Sequence, residues 1–231
     1  MKLQVLVSTM NQTDFSLLKE MNIQSDAIVV NQCKINNFDV VNYNGHKVRF
    51  LSLNEKGVGL SRNTALMRSE GDICVLADDD LTYVDGYKDI ILKEFNDNPQ
   101  ADIILFNVPS TNKDRPSYII PKISRVRWYN SLKYGAVNIA FRSESVKKAN
   151  VSFSLLFGGG ARYSAGEDSL FIADCLRKGL KIYTNPKIIG FVKQDESTWF
   201  EGYTDKFLLI KAYFLQVYRS GGQRLYVYSL W

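Results

Sequence analysis

The sequence predicts an α/β fold: a mostly parallel sheet covered by helices on both faces, followed by a helical C-terminal tail. Two observations carry this. Short apolar runs alternate with segments of helical periodicity through the first half of the chain, and the runs are continuously apolar, as in strands buried on both faces. A third observation points to a site: the run "ICVLA" leads straight into Asp78, Asp79 and Asp80.

The elements follow in order. "LQVLV" (3–7) reads as the first strand. "TDFSLLKEM" (13–21) places Phe15, Leu18 and Met21 at helical spacing. "AIVVN" (27–31) and "VRFLSL" (48–53) are the second and third strands. A helix begins near Ser61, a good N-cap residue, and stops at Gly71. "ICVLA" (73–77) is the fourth strand. Asp85 is placed to cap a helix bearing Tyr87, Ile90, Ile91 and Phe95, ending before "DNP". "DIILF" (102–106) is next. A basic loop region (111–133) leads to "VNIAFR" (137–142). The Gly-rich "FGGGARYSAG" (157–166) opens into a helix over "EDSLFIADCLRKG", which Gly179 ends. "LKIYT" (180–184) and "IIGFV" (188–192) return to strand pattern, and "DKFLLIKAYFLQVYR" reads as an amphipathic, aromatic-rich helix. This divides the chain into a domain over 1–200, with halves 1–110 and 111–200, and a helical extension over 201–231.

Composition narrows the chemistry. Of 231 residues, 45 % are hydrophobic and 23 % charged, which is globular rather than disordered. No apolar run approaches the ~20 residues of a spanning helix, and the N-terminus reads as a strand rather than a signal peptide. Cys33, Cys74 and Cys175 are widely spaced with no CxxC pair, so neither a disulfide framework nor a zinc site is indicated and a cytoplasmic protein is expected. His46 is the only histidine, which leaves little for a Ser-His-Asp triad or a multi-histidine metal cage. The net charge is +5, and much of it sits between Lys113 and Lys133. A solvated loop, nucleic acid, a phosphate-bearing substrate or an anionic membrane surface would each accommodate that excess.

Three adjacent acids at a buried strand end raise one another's pKa or recruit a cation. Mg²⁺ and Mn²⁺ suit such a place, held by one or two carboxylates and completed by water and substrate phosphates. Asp residues also serve in turns and caps. Glu167 and Asp168, after a Gly-rich loop, suit a general base at a cleft rim, or equally two acids complementing a helix dipole. "EKGVGLSRNTAL" (55–66) puts Gly57 and Gly59 ahead of a helix start, where N–H groups bind phosphate or simply make a turn. Arg62 in that helix's first turn is opposed by the dipole, so an anion nearby is expected.

The ordered set "GLSRNTAL…GDICVLADDD…GEDSLF", with "VLVSTMN" before it, resembles the family 2 glycosyltransferases of the GT-A fold over roughly residues 3 to 200. The resemblance implies a Rossmann-like nucleotide-sugar-binding half, an acceptor half, and transfer of a sugar from a nucleotide-sugar, a UDP-sugar, to a hydroxyl of a saccharide or lipid-linked acceptor. It implies an inverting, metal-dependent reaction in surface polysaccharide or glycoconjugate synthesis. Ser8 and Thr9 would lie by the nucleotide, Arg62 near its base or phosphates, and Asp78 at the nucleoside with Asp79 beside it. Asp80 would ligate Mn²⁺ or Mg²⁺, and Asp168 would be the base with Glu167 orienting the acceptor. Two positions depart from the family pattern. Asn31 and Gln32 stand where aspartates read the nucleoside base. The late metal-binding histidine is missing from "FVKQDESTWF", where Asp195 is the substitute.

A non-catalytic nucleotide-sugar-binding module and a Mg²⁺-dependent phosphotransfer domain are the alternatives. The second lacks its usual acid at the first strand, and no nucleic-acid-binding motif is present. The tail, with Lys206, Lys211, Arg219 and Arg224 among aromatics, suits a peripheral contact with the inner face of the membrane, packing on the domain, or a homodimer contact.

Overall fold

The computed structural model describes residues 1–194 and Tyr218. Eleven strands and five helices follow in chain order: β1 (Leu3–Met10), α1 (Leu17–Glu20), β2 (Asp26–Gln32), β3 (Asn37–Tyr43), β4 (His46–Leu53), α2 (Val58–Met67), β5 (Ile73–Asp78), β6 (Leu81–Tyr83), α3 (Tyr87–Asp97), β7 (Ile103–Asn107), β8 (Ser124–Arg125), β9 (Ile139–Arg142), α4 (Ser143–Ala149), α5 (Glu167–Arg177), β10 (Ile182–Ile188) and β11 (Gly190–Val192). Nine of the strands form one sheet in the order β3-β4-β2-β1-β5-β9-β7-β10-β8, and β6 pairs with β11 in a small second sheet.

The expected α/β architecture is present. Strands β4, β2, β1 and β5 pair in parallel, as do β7 and β10. β9 runs antiparallel between β5 and β7, so the parallel strands on either side of it point the same way. Two apolar layers lie against the sheet. One holds Leu18, Met21, Tyr87, Ile91 and Phe95 from α1, α3 and their flanks; the other holds Leu66, Val146, Phe153, Phe171 and Ile172, chiefly from α2, α4 and α5. Alternate residues of β1 feed the two layers, Val5 and Val7 one and Leu6 the other, which is why that strand is apolar throughout.

Local chemistry moved several boundaries. The first helix is one turn long rather than spanning 13–21, because the Asp14 carboxylate accepts the Ser16 N–H and holds a turn there. α2 begins at Val58, three residues before Ser61, because Gly57 turns the chain at φ +118°. Gly86, at φ +72°, caps α3 in place of Asp85, whose carboxylate instead accepts the amides of Asn22 and Gln24. Strand β3 and helix α4 were not anticipated; β3 is an edge hairpin partner of β4 across the Asn44-Gly45 turn.

Parallel register sets the site. Ser8 pairs with Asp78 across β1 and β5, Thr9 with Asn31 and Met10 with Gln32 across β1 and β2. The carboxyl ends of these strands make one edge, the place where open α/β sheets bind ligands. β11 lays Val192 beside Leu81, so the chain leaving β11 passes next to Asp80.

Candidate active site

The carboxyl edge of the sheet gathers most of the polar residues expected from the sequence. Thr9 Oγ1 donates to Asp79 Oδ2 at 2.6 Å and accepts from Gln12 Nε2 at 2.9 Å. This joins the loop after β1 to the loop after β5. Ser61 Oγ donates to Ser8 Oγ at 2.9 Å, seating the first turn of α2 on β1.

Asn31 and Gln32 build the floor of this edge. Asn31 Oδ1 accepts the Gln12 N–H while its Nδ2 donates to the Gln12 carbonyl, each at 2.9 Å. Gln32 brackets Gly57 in the same way, accepting its N–H at 3.1 Å and donating to its carbonyl at 3.0 Å. A side-chain amide carries both a donor and an acceptor, so it can hold a peptide unit like a neighbouring strand; a carboxylate cannot.

Arg62 is the centre of the arrangement. It is 4 % exposed. Its Nη1 donates to Glu167 Oε1 at 2.7 Å, and its Nη2 to Asp78 Oδ1 at 2.9 Å and Oδ2 at 3.1 Å. The guanidinium lies 5.6 Å from the Phe153 ring centroid, and Phe153 stacks on Phe171 of α5. Its Nε is buried and has no hydrogen-bond partner among the described residues. Burial opposes the charge, but Asp78 and Glu167 together outweigh that and raise its pKa. Because α2 begins at Val58, Arg62 stands one turn further into the helix than expected, and the anion beside it is a pair of carboxylates of the protein itself. Whatever binds at the Arg62 guanidinium meets a group already held on both sides.

Glu167 and Asp168 open α5 after Gly166, whose φ of +111° lets the chain turn into the helix. The two acids diverge as neighbours on a helix must. Glu167 is buried toward Arg62. Asp168 is half-buried, its Oδ1 accepting the Ser169 N–H at 2.6 Å. Loss of surrounding water and the neighbouring Glu167 push the Asp168 carboxyl up to about 7, against the pull of Arg62. Its Oδ2 faces Gly135: a Cβ at that glycine would stand 3.7 Å away. Sequence reasoning missed Gly135 and Phe153, which come from segments distant in the chain and carry no local signature.

The Gly-rich loop closes over the start of α2. The Val58 N–H donates to the Gly159 carbonyl at 2.9 Å, and a Cβ on Gly59 would collide with the Ser154 carbonyl oxygen. The expected alternative of a phosphate cradle at Gly57 and Gly59 is thus replaced by a loop contact. Gly158 sits at φ +107° with Val58 and the Glu167 carboxylate where its Cβ would be.

Asp80 lies at the other side of the edge. Its carboxyl is pushed up to about 6 by burial and by Asp78, with Asp79 adding to the effect. Its Oδ2 accepts the Gln194 N–H at 3.3 Å, and its carbonyl the Lys193 N–H at 3.1 Å. Among the described residues no three His, Cys, Asp or Glu side chains converge as a metal cage. One half-buried, charge-crowded carboxylate fits a hard cation completed by water and phosphate oxygens. His46 is remote, at the amino end of β4 beside Asp26. Asp195, the other expected ligand, lies outside the described residues, as does the tail apart from Tyr218. Among the described residues no helix is long and apolar enough to cross a membrane. Cys33, Cys74 and Cys175 are all free thiols.

The chain matches the model described as Glycosyl transferase family 2 over residues 24–151. No curated protein matches it. Among solved structures it is similar to S. aureus TarS 1–349 in complex with UDP-GlcNAc, with a TM-score of 0.69 at 17 % identity, covering 93 % of this chain and 65 % of that one. It is also similar to S. aureus TarS 1–349 in complex with UDP, with a TM-score of 0.63 at 16 % identity, covering 95 % and 72 %. The chain therefore spans just under two thirds of the first of these, and at such identities the likeness is one of fold.

Proposed function

The chain belongs to glycosyl transferase family 2, and from that premise we propose that it moves a sugar from a UDP-sugar to an acceptor hydroxyl by a single inverting displacement, with Asp168 as the base. It is a glycosyltransferase of the GT-A fold. The observation that carries the proposal is the Arg62 bridge: one buried guanidinium ties Asp78, on the strand-end edge, to Glu167, next to the candidate base.

The roles follow from position. Ser8, Thr9 and Asp79 line the nucleotide side, shaped by Asn31 and Gln32 beneath. Asp78, fixed by Arg62, contacts the nucleoside. Glu167, fixed by the other arm of Arg62, shapes the acceptor side. Asp168 takes the proton from the acceptor hydroxyl, which attacks the anomeric carbon as the nucleoside diphosphate departs. A carboxylate raised to about 7 is well matched to that proton transfer near neutral pH. Asp80 would hold Mn²⁺ or Mg²⁺. A bound divalent ion supplies charge compensation for the departing diphosphate. The acceptor is a saccharide or a lipid-linked saccharide, in surface polysaccharide or glycoconjugate synthesis. The UDP-GlcNAc and UDP complexes of the structural neighbours support the choice of uridine nucleotide.

The test is a panel of nucleotides and nucleotide-sugars, including UDP-GlcNAc, scored by thermal shift and by release of nucleoside diphosphate with Mn²⁺ present. A ligand that binds the native state raises the melting temperature. The proposal expects a shift with uridine nucleotides and UDP release from at least one UDP-sugar. Shift without release from any donor in the panel would favour a binding module instead.

A further inference from the structure

The basic segment left unassigned by the sequence has both its ends at the active site. At one end Thr111 N–H donates to the Val192 carbonyl at 2.9 Å, and Asn112 Nδ2 to the carbonyl of Gln194 at 3.2 Å. Gln194 is the residue whose N–H reaches Asp80. At the other end is Gly135, against Asp168. Residues 111–135 thus run from the candidate metal carboxylate to the candidate base.

The segment carries the protein's entire net charge. Lys113, Arg115, Lys122, Arg125, Arg127 and Lys133 oppose only Asp114, giving 6 − 1 = +5, equal to the +5 of the whole chain; the other residues sum to zero. It also carries the two most exposed large aromatic rings among the described residues, Trp128 at 72 % and Tyr129 at 71 %. These rings are on a fixed turn. The Tyr218 hydroxyl donates to the Trp128 carbonyl at 2.6 Å and lies 2.9 Å from Ser131 Oγ. Lys133 Nζ rests 5.0 Å from the Tyr118 ring centroid, so cation and aromatic face are interleaved along the segment.

We infer that residues 111–135 form the wall on which the acceptor lies, and that this acceptor is an anionic saccharide bearing phosphate, sulfate or carboxylate groups. The inference rests on the glycosyl-transfer reading of the same site. Exposed rings offer flat apolar faces to sugar rings, and the surrounding cations attract the charged substituents at long range. A surface with one end against Asp168 and the other joined to Asp80 through Gln194 delivers what it binds to the site between them. A lipid surface would draw on the same charges, but it has no use for an attachment to both.

The test measures binding of dextran sulfate, neutral dextran of the same length and inorganic polyphosphate to the full chain. The inference expects dextran sulfate to bind and neutral dextran not to, with affinity falling as salt rises. Arg127→Glu with Lys133→Glu should weaken dextran sulfate binding roughly tenfold or more. Trp128→Ala should weaken dextran sulfate but leave polyphosphate unchanged. The melting temperature should persist in these variants. Equal binding of the two dextrans would overturn the inference. So would a Trp128→Ala variant that affects both polyanions alike or neither, since charge alone would then explain the binding. Vesicles of phosphatidylglycerol that bind through Arg127 and Lys133 while dextran sulfate does not would reassign the segment to a lipid surface. Absence of UDP release in the unmodified chain would count against the transfer reading and leave the binding result to decide this one.

Discussion

Arg62 and Glu167 lie 105 residues apart in the chain and 2.7 Å apart in the fold, with Asp78 on the other arm of the same guanidinium. The contact joins the second turn of α2 to the first turn of α5. It puts one buried positive charge among acids that would otherwise repel. Removing one partner of a buried pair leaves an uncompensated charge, which costs more than the pair itself contributes.

Arg62→Met should therefore destabilise the protein by about 3–5 kcal/mol, read as a lower urea midpoint. Adding Glu167→Gln should recover part of that loss, because it removes one of the stranded charges. A fully additive double variant would mean that the two residues are not coupled.

Asp168 sets a pH dependence of known sign. Its pKa is about 7 in the fold against an ordinary 3.8, so the native state binds more protons than the unfolded state between those values. Stability from this group is full below about pH 4 and is lost as pH rises through about 7. Asp168→Asn should remove that slope and melt higher than the parent at pH 8. Turnover should run the other way, rising with pH through about 7 as the base loses its proton. Melting curves and initial rates from pH 5 to 9 measure both.

Gly158→Ala should disturb the site without removing a polar group. The new Cβ would meet Val58 Cγ1 at 2.7 Å and the Glu167 carboxyl at 2.8 Å, in a backbone at φ +107°. A cost of roughly 1–3 kcal/mol is expected for a side chain in that conformation, beyond any clash. Denaturation and UDP release should both suffer. Gly179→Ala, also at positive φ but with nothing within 4 Å, should affect stability alone.

Asp80→Asn should weaken UDP binding in Mn²⁺ far more than in EDTA, because its carboxylate is the one read as the metal ligand. Calorimetry in the two buffers compares them. An equal loss in both would remove Asp80 from the metal and leave it a partner of Gln194.

The elements legible from the sequence are those written in local pattern. β1, β2, β4 and β5 were visible as apolar runs, and α5 lies between Gly166 and Gly179 where periodicity and glycines place it. The clustering of Asp78 to Asp80 at a strand end pointed to the candidate site. β3 was missed although Asn44-Gly45 is a hairpin signal, because Phe38, Val40, Val41 and Tyr43 form neither a continuous apolar run nor a strict alternation, and none of them is buried. The antiparallel insertion of β9 between β5 and β7 leaves no trace in either strand's own sequence. Nor does the partnership of Arg62 with Glu167. The cation near the helix start announced that an anion was needed, but the anion comes from α5, packed against the same layer through Phe171, Ile172 and Cys175.

The central claim is that Asp168, and not Glu167, is the base, and rates of UDP release from Asp168→Asn and Glu167→Gln test it most directly. A base acts in the transition state, so Asp168→Asn should lower kcat by roughly 10²–10⁴ with donor KM little changed. Glu167→Gln keeps a hydrogen-bond acceptor for Arg62 and should be milder, acting on acceptor KM. A nearly normal kcat in Asp168→Asn, with Glu167→Gln inactive, would contradict the account and reverse the two roles.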